Sequence, residues 1–163
     1  VLTASIHENV VSNWNWIEAL IASVPIAILV MLIVWINQFQ DAPSDAAVGK
    51  NTWVVRTAEQ GEWMKLEKPL RLYKQFMIEA FVAVALVGAL SFFTDFGTVY
   101  AFMALIPLAL VWKAFKMADE WMIKWNNPNA DRQKVPYELL LVNVSTIGIH
   151  FLTGILLAVA YIL

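Results

Sequence analysis

IEALIASVPIAILVMLIVWI, residues 17–36, is the stretch that decides the fold of this chain. It contains one charged side chain, Glu18, and as a helix it is long enough to cross the roughly 30 Å hydrocarbon core of a bilayer. The whole chain of 163 residues is 60% hydrophobic and 15% charged, whereas a soluble domain is about 45–50% apolar and about 25% charged. The sequence therefore predicts an integral membrane protein.

Three further apolar stretches are also long enough to span a bilayer as helices. They are residues 76–93, 99–115 and 139–163. We therefore predict an all-α, multi-span transmembrane helical bundle with four spans. Pro25 and Pro107 fall inside two of the predicted spans and are expected to kink them.

The basic residues are confined to two stretches of the sequence. All 11 Lys and Arg lie within residues 50–74 or 113–134. These stretches are the connections that follow the first and third predicted spans, together with Lys113 at the end of the third span. Cytoplasmic connections are the ones that carry an excess of Lys and Arg. We therefore predict cytoplasmic loops at residues 37–75 and 116–138, with both termini on the outer side of the cell or inner membrane.

Composition also excludes several classes of site and partner. With no Cys and two His, the chain cannot form a thiolate metal site or a multi-histidine centre by itself. A net charge of −2 without a basic tract argues against a nucleic-acid partner. His150 lies in the fourth predicted span, where it either forms hydrogen bonds across helices or ligates a haem whose second ligand comes from elsewhere.

The connection after the first span contains the candidate chemistry. Asn37, Asp41 and Asp45 recur every four residues, so a helix that continued past the membrane would place them on one edge. Carboxylates without Cys or His suit Mg²⁺, which also takes phosphate oxygens from a substrate. Lys50 and Arg56 can neutralise a phosphate-type leaving group. These residues form a candidate metal–diphosphate site, and a solvated turn is the alternative interpretation.

The run INQFQDAPSDAAVGKNTWVVR, residues 36–56, resembles the second aspartate-rich motif of the UbiA superfamily of membrane prenyltransferases. The resemblance is closest to the 1,4-dihydroxy-2-naphthoate prenyltransferases of menaquinone biosynthesis, whose motif reads approximately N-x-x-x-D-x-x-x-D-x-x-x-G-K-x-T-x-x-V-R. The matching residues are Asn37, Asp41, Asp45, Gly49, Lys50, Thr52, Val55 and Arg56. The closing run STIGIHFLTGILLAVAYIL, residues 145–163, also resembles the family's last span.

The resemblance implies a fold of nine transmembrane helices, of which these four would be the last four. Residues 1–163 would then be the C-terminal half of a prenyltransferase domain, and an odd number of preceding spans would explain an N-terminus on the outer side. The family's first motif, of the N-D-x-x-D type, has no match in this sequence, and Thr57-Ala58 replaces the usual Leu-Gly after the motif. The implied activity therefore requires a missing N-terminal half.

That activity is transfer of a polyprenyl group from a polyprenyl diphosphate to an aromatic acceptor such as 1,4-dihydroxy-2-naphthoate in quinone biosynthesis. The resemblance implies that Asp41 and Asp45 hold Mg²⁺, which binds with the substrate diphosphate, and that Asn37 orients them. Lys50 and Arg56 would bind the diphosphate or lock the loop. An ion pair of Arg56 with Asp41, Asp45 or another acid of the loop is an equal alternative. Membrane lipid and a complementary membrane chain are the expected partners.

A second hypothesis assigns the chain to a different class of protein. It would be a non-catalytic structural subunit that has this fold and belongs to a larger respiratory, photosynthetic or quinone-linked membrane complex. An intact second motif favours the enzyme, and the unmatched first motif favours the subunit.

The confinement of the basic residues gives a prediction about topology. A reporter fused after Leu163 is expected outside the cytoplasm, and a tag inserted within residues 45–59 is expected inside it, because positively charged connections stay cytoplasmic. Labelling of intact cells with a membrane-impermeant reagent measures both positions. Cytoplasmic protection of the C-terminus would contradict the four-span arrangement.

Overall fold

The computed structural model describes residues 15–58, 62–132 and 134–163. In these ranges the chain forms helices and no strand, which confirms the all-α prediction. The α-helices are α1 (Asn15–Ala47), α2 (Trp53–Thr57), α3 (Glu67–Leu90), α4 (Leu108–Trp125) and α5 (Leu140–Ala160). Short 3₁₀ segments, Val99–Leu105 and Val135–Leu139, precede α4 and α5.

Four helical stretches are long and apolar enough to cross a membrane. They are Trp16–Ala47, Glu67–Leu90, Val99–Trp125 and Val135–Ala160. Each overlaps one predicted span, so the prediction of an integral membrane protein with four transmembrane helices is confirmed.

The first of these helices extends further than the sequence analysis predicted. The predicted loop began at residue 37, whereas α1 continues to Ala47, and much of the aspartate motif is therefore helical. The reason is that Ile36, Phe39 and Ala42 are fully buried and prolong the apolar face of α1 beyond the predicted span, which ended at residue 36. Pro43 lies inside this helix, which forgoes one backbone hydrogen bond there and keeps its packing.

The third span also differs from its predicted form. Pro107 was expected inside a helix, but it lies between the 3₁₀ segment Val99–Leu105 and the first residue of α4. Proline suits the start of a helix, where its missing N–H has no partner to lose. The span is therefore built from two helical pieces that meet at a proline.

The long helices pack into a four-helix bundle. α1 lies against α3 and α5, and α4 lies against the same two helices. The larger core cluster includes Leu32 of α1, Met77 of α3, Ala118 of α4 and Ile149 of α5, all fully buried. Van der Waals packing of this kind, together with hydrogen bonds between helices, holds a bundle together in lipid, where apolar burial alone gives little advantage.

Hydrogen bonds between side chains join three of the helices at one level. The hydroxyls of Tyr73 on α3 and Thr146 on α5 are 2.7 Å apart, and both residues are fully buried. One turn earlier on α5, Asn143 donates a hydrogen bond to the side chain of Asn37 on α1. We call these four residues the polar seam. It fixes the end of α1 that carries the motif relative to α3 and α5.

A cluster of aromatic residues closes the same end of the bundle. The indole nitrogens of Trp121 and Trp125 donate to the carbonyls of Val135 and Met64, at 2.8 Å in each case. The two indole rings stack with centroids 5.4 Å apart, and the Arg132 guanidinium lies 4.3 Å from the centroid of the Trp125 ring. The residues before α3 and after α4 are thereby attached to the bundle.

The seam gives a prediction about stability. Tyr73→Phe removes the hydroxyl that pairs with Thr146 and leaves the ring in place, so the free energy of unfolding should fall by about 0.6–1.7 kcal/mol. The matched control is Tyr137→Phe. Because Tyr137 is 69% exposed, loss of its hydroxyl should leave the free energy of unfolding unchanged. Reversible unfolding by SDS in mixed micelles measures both variants. Equal stabilities would show that the seam contributes nothing.

Candidate functional site

Asp45 lies near the end of α1 and is only 6% exposed. Its Oδ1 accepts a hydrogen bond at 3.0 Å from the Lys50 ammonium, while its Oδ2 is buried with no partner among the described residues. The backbone closes the same turn, since the Lys50 amide donates to the Asp45 carbonyl at 2.8 Å. Gly49 makes this turn possible because its φ of 70° is one that other residues rarely adopt.

Asn37 and Asp41 lie on the same edge of α1, about two turns and one turn before Asp45, respectively. The four-residue spacing is therefore a helical spacing, but the three side chains have different surroundings. Asn37 and Asp41 are exposed, whereas Asp45 is buried and paired with Lys50. The edge thus presents one exposed carboxylate, without a partner among the described residues, and one that is mostly buried and paired.

Arg56 lies on α2, the short helix that follows the turn. It is exposed, and within the described ranges it forms no ion pair with Asp41, Asp45 or any other carboxylate. The structure therefore brings Lys50 to Asp45 and leaves Arg56 available. The ion pair considered for Arg56 is not formed in this part of the chain.

Two residues that the motif comparison did not single out hold the site together. Gln38 accepts a hydrogen bond at 3.2 Å from the backbone amide of Val54, which anchors the first turn of α2 to α1. Asn143, buried on α5, donates to Asn37. Gln38 gives no sequence signal beyond its place in the motif. Asn143 gives a weak one, as a polar side chain in a predicted transmembrane span.

The motif offers few donors for a magnesium ion. In the described ranges no group of three or more His, Cys, Asp or Glu side chains could hold a metal ion. The motif supplies two carboxylates, those of Asp41 and Asp45. Oδ2 of Asp45 is buried and has no partner among the described residues. Mg²⁺ is commonly bound by one or two carboxylates and completed by water and phosphate oxygens. These residues fit a magnesium ion that arrives with a diphosphate.

Two ionisable residues of the spans lie outside this site. His150 is half-buried on α5, and Thr146, which could have bonded to it, is paired with Tyr73. Glu79 on α3 accepts a hydrogen bond at 2.8 Å from Gln75, one turn earlier on the same helix. Neither residue forms a hydrogen bond or an ion pair with the motif in the described ranges.

An apolar groove lies between α1 and α3 at the opposite end of the bundle. Its volume is about 440 Å³, and Ile21, Val24, Leu86 and Leu90 are among its lining residues. Ile21 is 20 residues before Asp41 on α1, a distance of about 30 Å along a helix. The groove is therefore separate from the candidate site.

Comparison of the chain with protein-family models, curated proteins and solved structures found no match.

The Lys50–Asp45 pair gives a prediction about local stability. Lys50→Met leaves a buried carboxylate unpaired, which costs on the order of 1–3 kcal/mol. Backbone amides in residues 50–57 should therefore exchange with deuterium about tenfold faster, because the turn opens more often. Lys68→Met is the matched control, since Lys68 is exposed at the start of α3 and forms no ion pair with a described residue. Equal exchange in the wild type and in Lys50→Met would mean that the pair does not hold the turn.

Proposed function

We propose that this chain carries one half of the active site of a membrane prenyltransferase. The reaction is transfer of a polyprenyl group from a polyprenyl diphosphate to an aromatic acceptor such as 1,4-dihydroxy-2-naphthoate in quinone biosynthesis. The observation that carries the proposal is the aspartate motif on an unbroken continuation of a transmembrane helix. A substrate with an apolar tail and a charged head needs lipid and a polar site side by side. α1 offers both, because its apolar part continues directly into the polar motif.

Asp41 and Asp45 are the proposed magnesium ligands, one helical turn apart on α1. When bound with the diphosphate, Mg²⁺ would neutralise charge that accumulates on the leaving group. The exposed Asp41 carboxylate is available for this role, whereas Asp45 must first exchange a partner.

The partner that Asp45 must release is Lys50. Its side chain is 64% exposed although its ammonium holds the buried Asp45, so it can turn outward without disturbing the core. A diphosphate is a more highly charged partner than one carboxylate, and Lys50 would move to it and leave Oδ1 of Asp45 free. The same lysine therefore locks the turn before the substrate binds and stabilises the leaving group afterwards.

Arg56 and Asn37 complete the polar part of the site. Arg56 is exposed and unpaired within the described ranges, and a guanidinium can hold two phosphate oxygens at once. Asn37 lies one turn before Asp41 on the same edge of α1. Both side chains are proposed to contact the diphosphate from opposite sides of the carboxylates.

The bond changes of the reaction are few. The allylic C–O bond breaks and its electron pair leaves with the diphosphate, after which the ring carbon of the acceptor forms the new C–C bond. The acceptor then loses CO₂ in the naphthoate branch. Apolar surroundings protect the allylic cation from water, and the surface of α1 above the motif is apolar, with Val30 and Val34 exposed.

The same surface supports the need for a complementary segment. Val30, Val34, Asn37 and Asp41 are all exposed and follow one another at intervals of three or four residues, so they form one stripe on α1. A polar end on a lipid-facing stripe is costly unless other protein covers it. A segment with the first aspartate-rich motif, packed on this stripe, would supply the remaining metal ligands.

The proposal predicts the effect of neutralising each carboxylate in the complemented enzyme. Asp41→Asn and Asp45→Asn preserve shape and remove a charged ligand, so the protein should insert normally while diphosphate release falls by roughly three orders of magnitude or more. Lys50→Ala removes both the ion pair with Asp45 and the cation proposed to stabilise the leaving group. The loss at the leaving group should cost on the order of 2–4 kcal/mol in transition-state stabilisation. Mg²⁺-dependent diphosphate release from a prenyl donor is the assay.

His150→Ala is the control, because His150 does not contact the motif and should affect packing alone. The chain without its complement should show no transfer. Near-normal rates in both aspartate variants would overturn the enzyme proposal and favour the structural subunit. If His150→Ala loses activity while both aspartate variants keep it, a cofactor role for the histidine is favoured instead.

A further inference from the structure

Asn143 is a buried polar residue near the start of α5, far from the motif in sequence. It is 6% exposed, and its Nδ2 donates a hydrogen bond to Oδ1 of Asn37 on α1. The two residues are 106 positions apart. The conformation of the Asn37 side chain is therefore set by a different helix from the one that carries the motif.

This hydrogen bond decides which end of the Asn37 amide is free. An asparagine side chain has one oxygen acceptor and one nitrogen with two donor hydrogens. Because Oδ1 of Asn37 accepts from Asn143, its Nδ2 is directed away from that bond. Asn37 is exposed, and no residue in the described ranges accepts a hydrogen bond from its Nδ2.

A free donor at this place is suited to an anion. Asp41 lies one helical turn further along the same edge and supplies negative charge and metal-binding oxygens. A phosphate oxygen bound beside Asp41 would need a donor that offsets the nearby carboxylate, and Nδ2 of Asn37 is such a donor. With Oδ1 occupied by Asn143, Asn37 is a poor metal ligand.

We propose that Asn143 is a positioning residue for the diphosphate site, because its hydrogen bond to Asn37 turns the Asn37 amide so that Nδ2 donates to a diphosphate oxygen beside Asp41. This inference rests on the proposed function. Asn143 touches no substrate in this arrangement and acts through Asn37 alone. Oδ1 of Asn143 is buried without a partner among the described residues. The hydrogen bond to Asn37 is therefore what orients the Asn143 side chain.

The test measures binding of inorganic pyrophosphate, with Mg²⁺ present, to the chain in lipid nanodiscs by calorimetry. Asn143→Leu keeps the volume and removes the donor, so pyrophosphate should bind about tenfold more weakly, as expected for one lost hydrogen bond to a charged group. Asn37→Ala should have a similar effect. Because Asn143 acts through Asn37, the double variant should bind no more weakly than Asn37→Ala alone.

Thr153→Val is the matched control on the same helix. Thr153 is fully buried on α5, its hydroxyl has no described partner, and it does not contact the motif. It should change pyrophosphate affinity by less than twofold. A tenfold loss in Thr153→Val, or additive losses in the double variant, would show that Asn143 acts through general packing and would overturn the positioning role.

A readout without ligand separates this inference from the proposed function. In chain labelled with ¹⁵N-asparagine, the Asn37 side-chain amide resonance should shift in Asn143→Leu and stay unchanged in Thr153→Val. If the Asn37 side-chain resonance does not shift in Asn143→Leu, the positioning role is overturned and the proposed function is not. Absence of pyrophosphate binding in the wild type, with the resonance shift present, would overturn the diphosphate site and this role with it.

Discussion

The continuity of α1 is the constraint on which the rest of the structure depends. If the helix ended with the membrane span, the motif residues would lie on a loop and their four-residue spacing would have no geometric meaning. Burial of Phe39 and Ala42 keeps the helix intact past Pro43. Each further residue therefore adds about 1.5 Å of rise along one axis, and Asn37 and Asp41 share an edge as a direct result of packing that has nothing to do with their own chemistry.

A helix that leaves the bundle core still needs lateral support, and the neighbouring helices provide it through polar contacts. The indole nitrogen of Trp35 donates to the Pro69 carbonyl at 3.2 Å, which attaches α1 to the start of α3. On the other side, Asn143 of α5 bonds to Asn37. Such bonds are directional, whereas packing of apolar side chains in lipid is not. They fix the rotation of α1 about its axis, and that rotation determines which side Asp41 faces.

The sequence predicted the fold because the spans have strong, local signals. Residues 17–36 have the length and apolarity of a transmembrane helix, and α1 contains all of them. The end of α1 could not be predicted in the same way, since Pro43 is a local signal for a break and the burial of Phe39 that opposes it is a tertiary effect. The Lys50–Asp45 pair was not predicted, because the ion pair considered for the two aspartates was with Arg56. Asn143 could not be assigned to the site, because no periodicity links positions 106 residues apart.

The buried polar atoms that lack partners are unevenly distributed over the described residues. Gln40 Nε2, Asp45 Oδ2 and Thr52 Oγ1 belong to the motif, and Asn143 Oδ1 belongs to the residue that orients Asn37. The other two atoms, Thr153 Oγ1 and the Tyr161 hydroxyl oxygen, lie on α5 and at its end. Each such atom costs on the order of 1–3 kcal/mol, so a sequence selected for stability alone would have removed them. Thr52 is an example. It is the N-cap residue of α2, but its hydroxyl makes no capping hydrogen bond, and the Val54 amide donates to the Gln38 side chain instead. Unsatisfied groups within the motif and on the residue that orients it are expected where a protein gives up stability for binding.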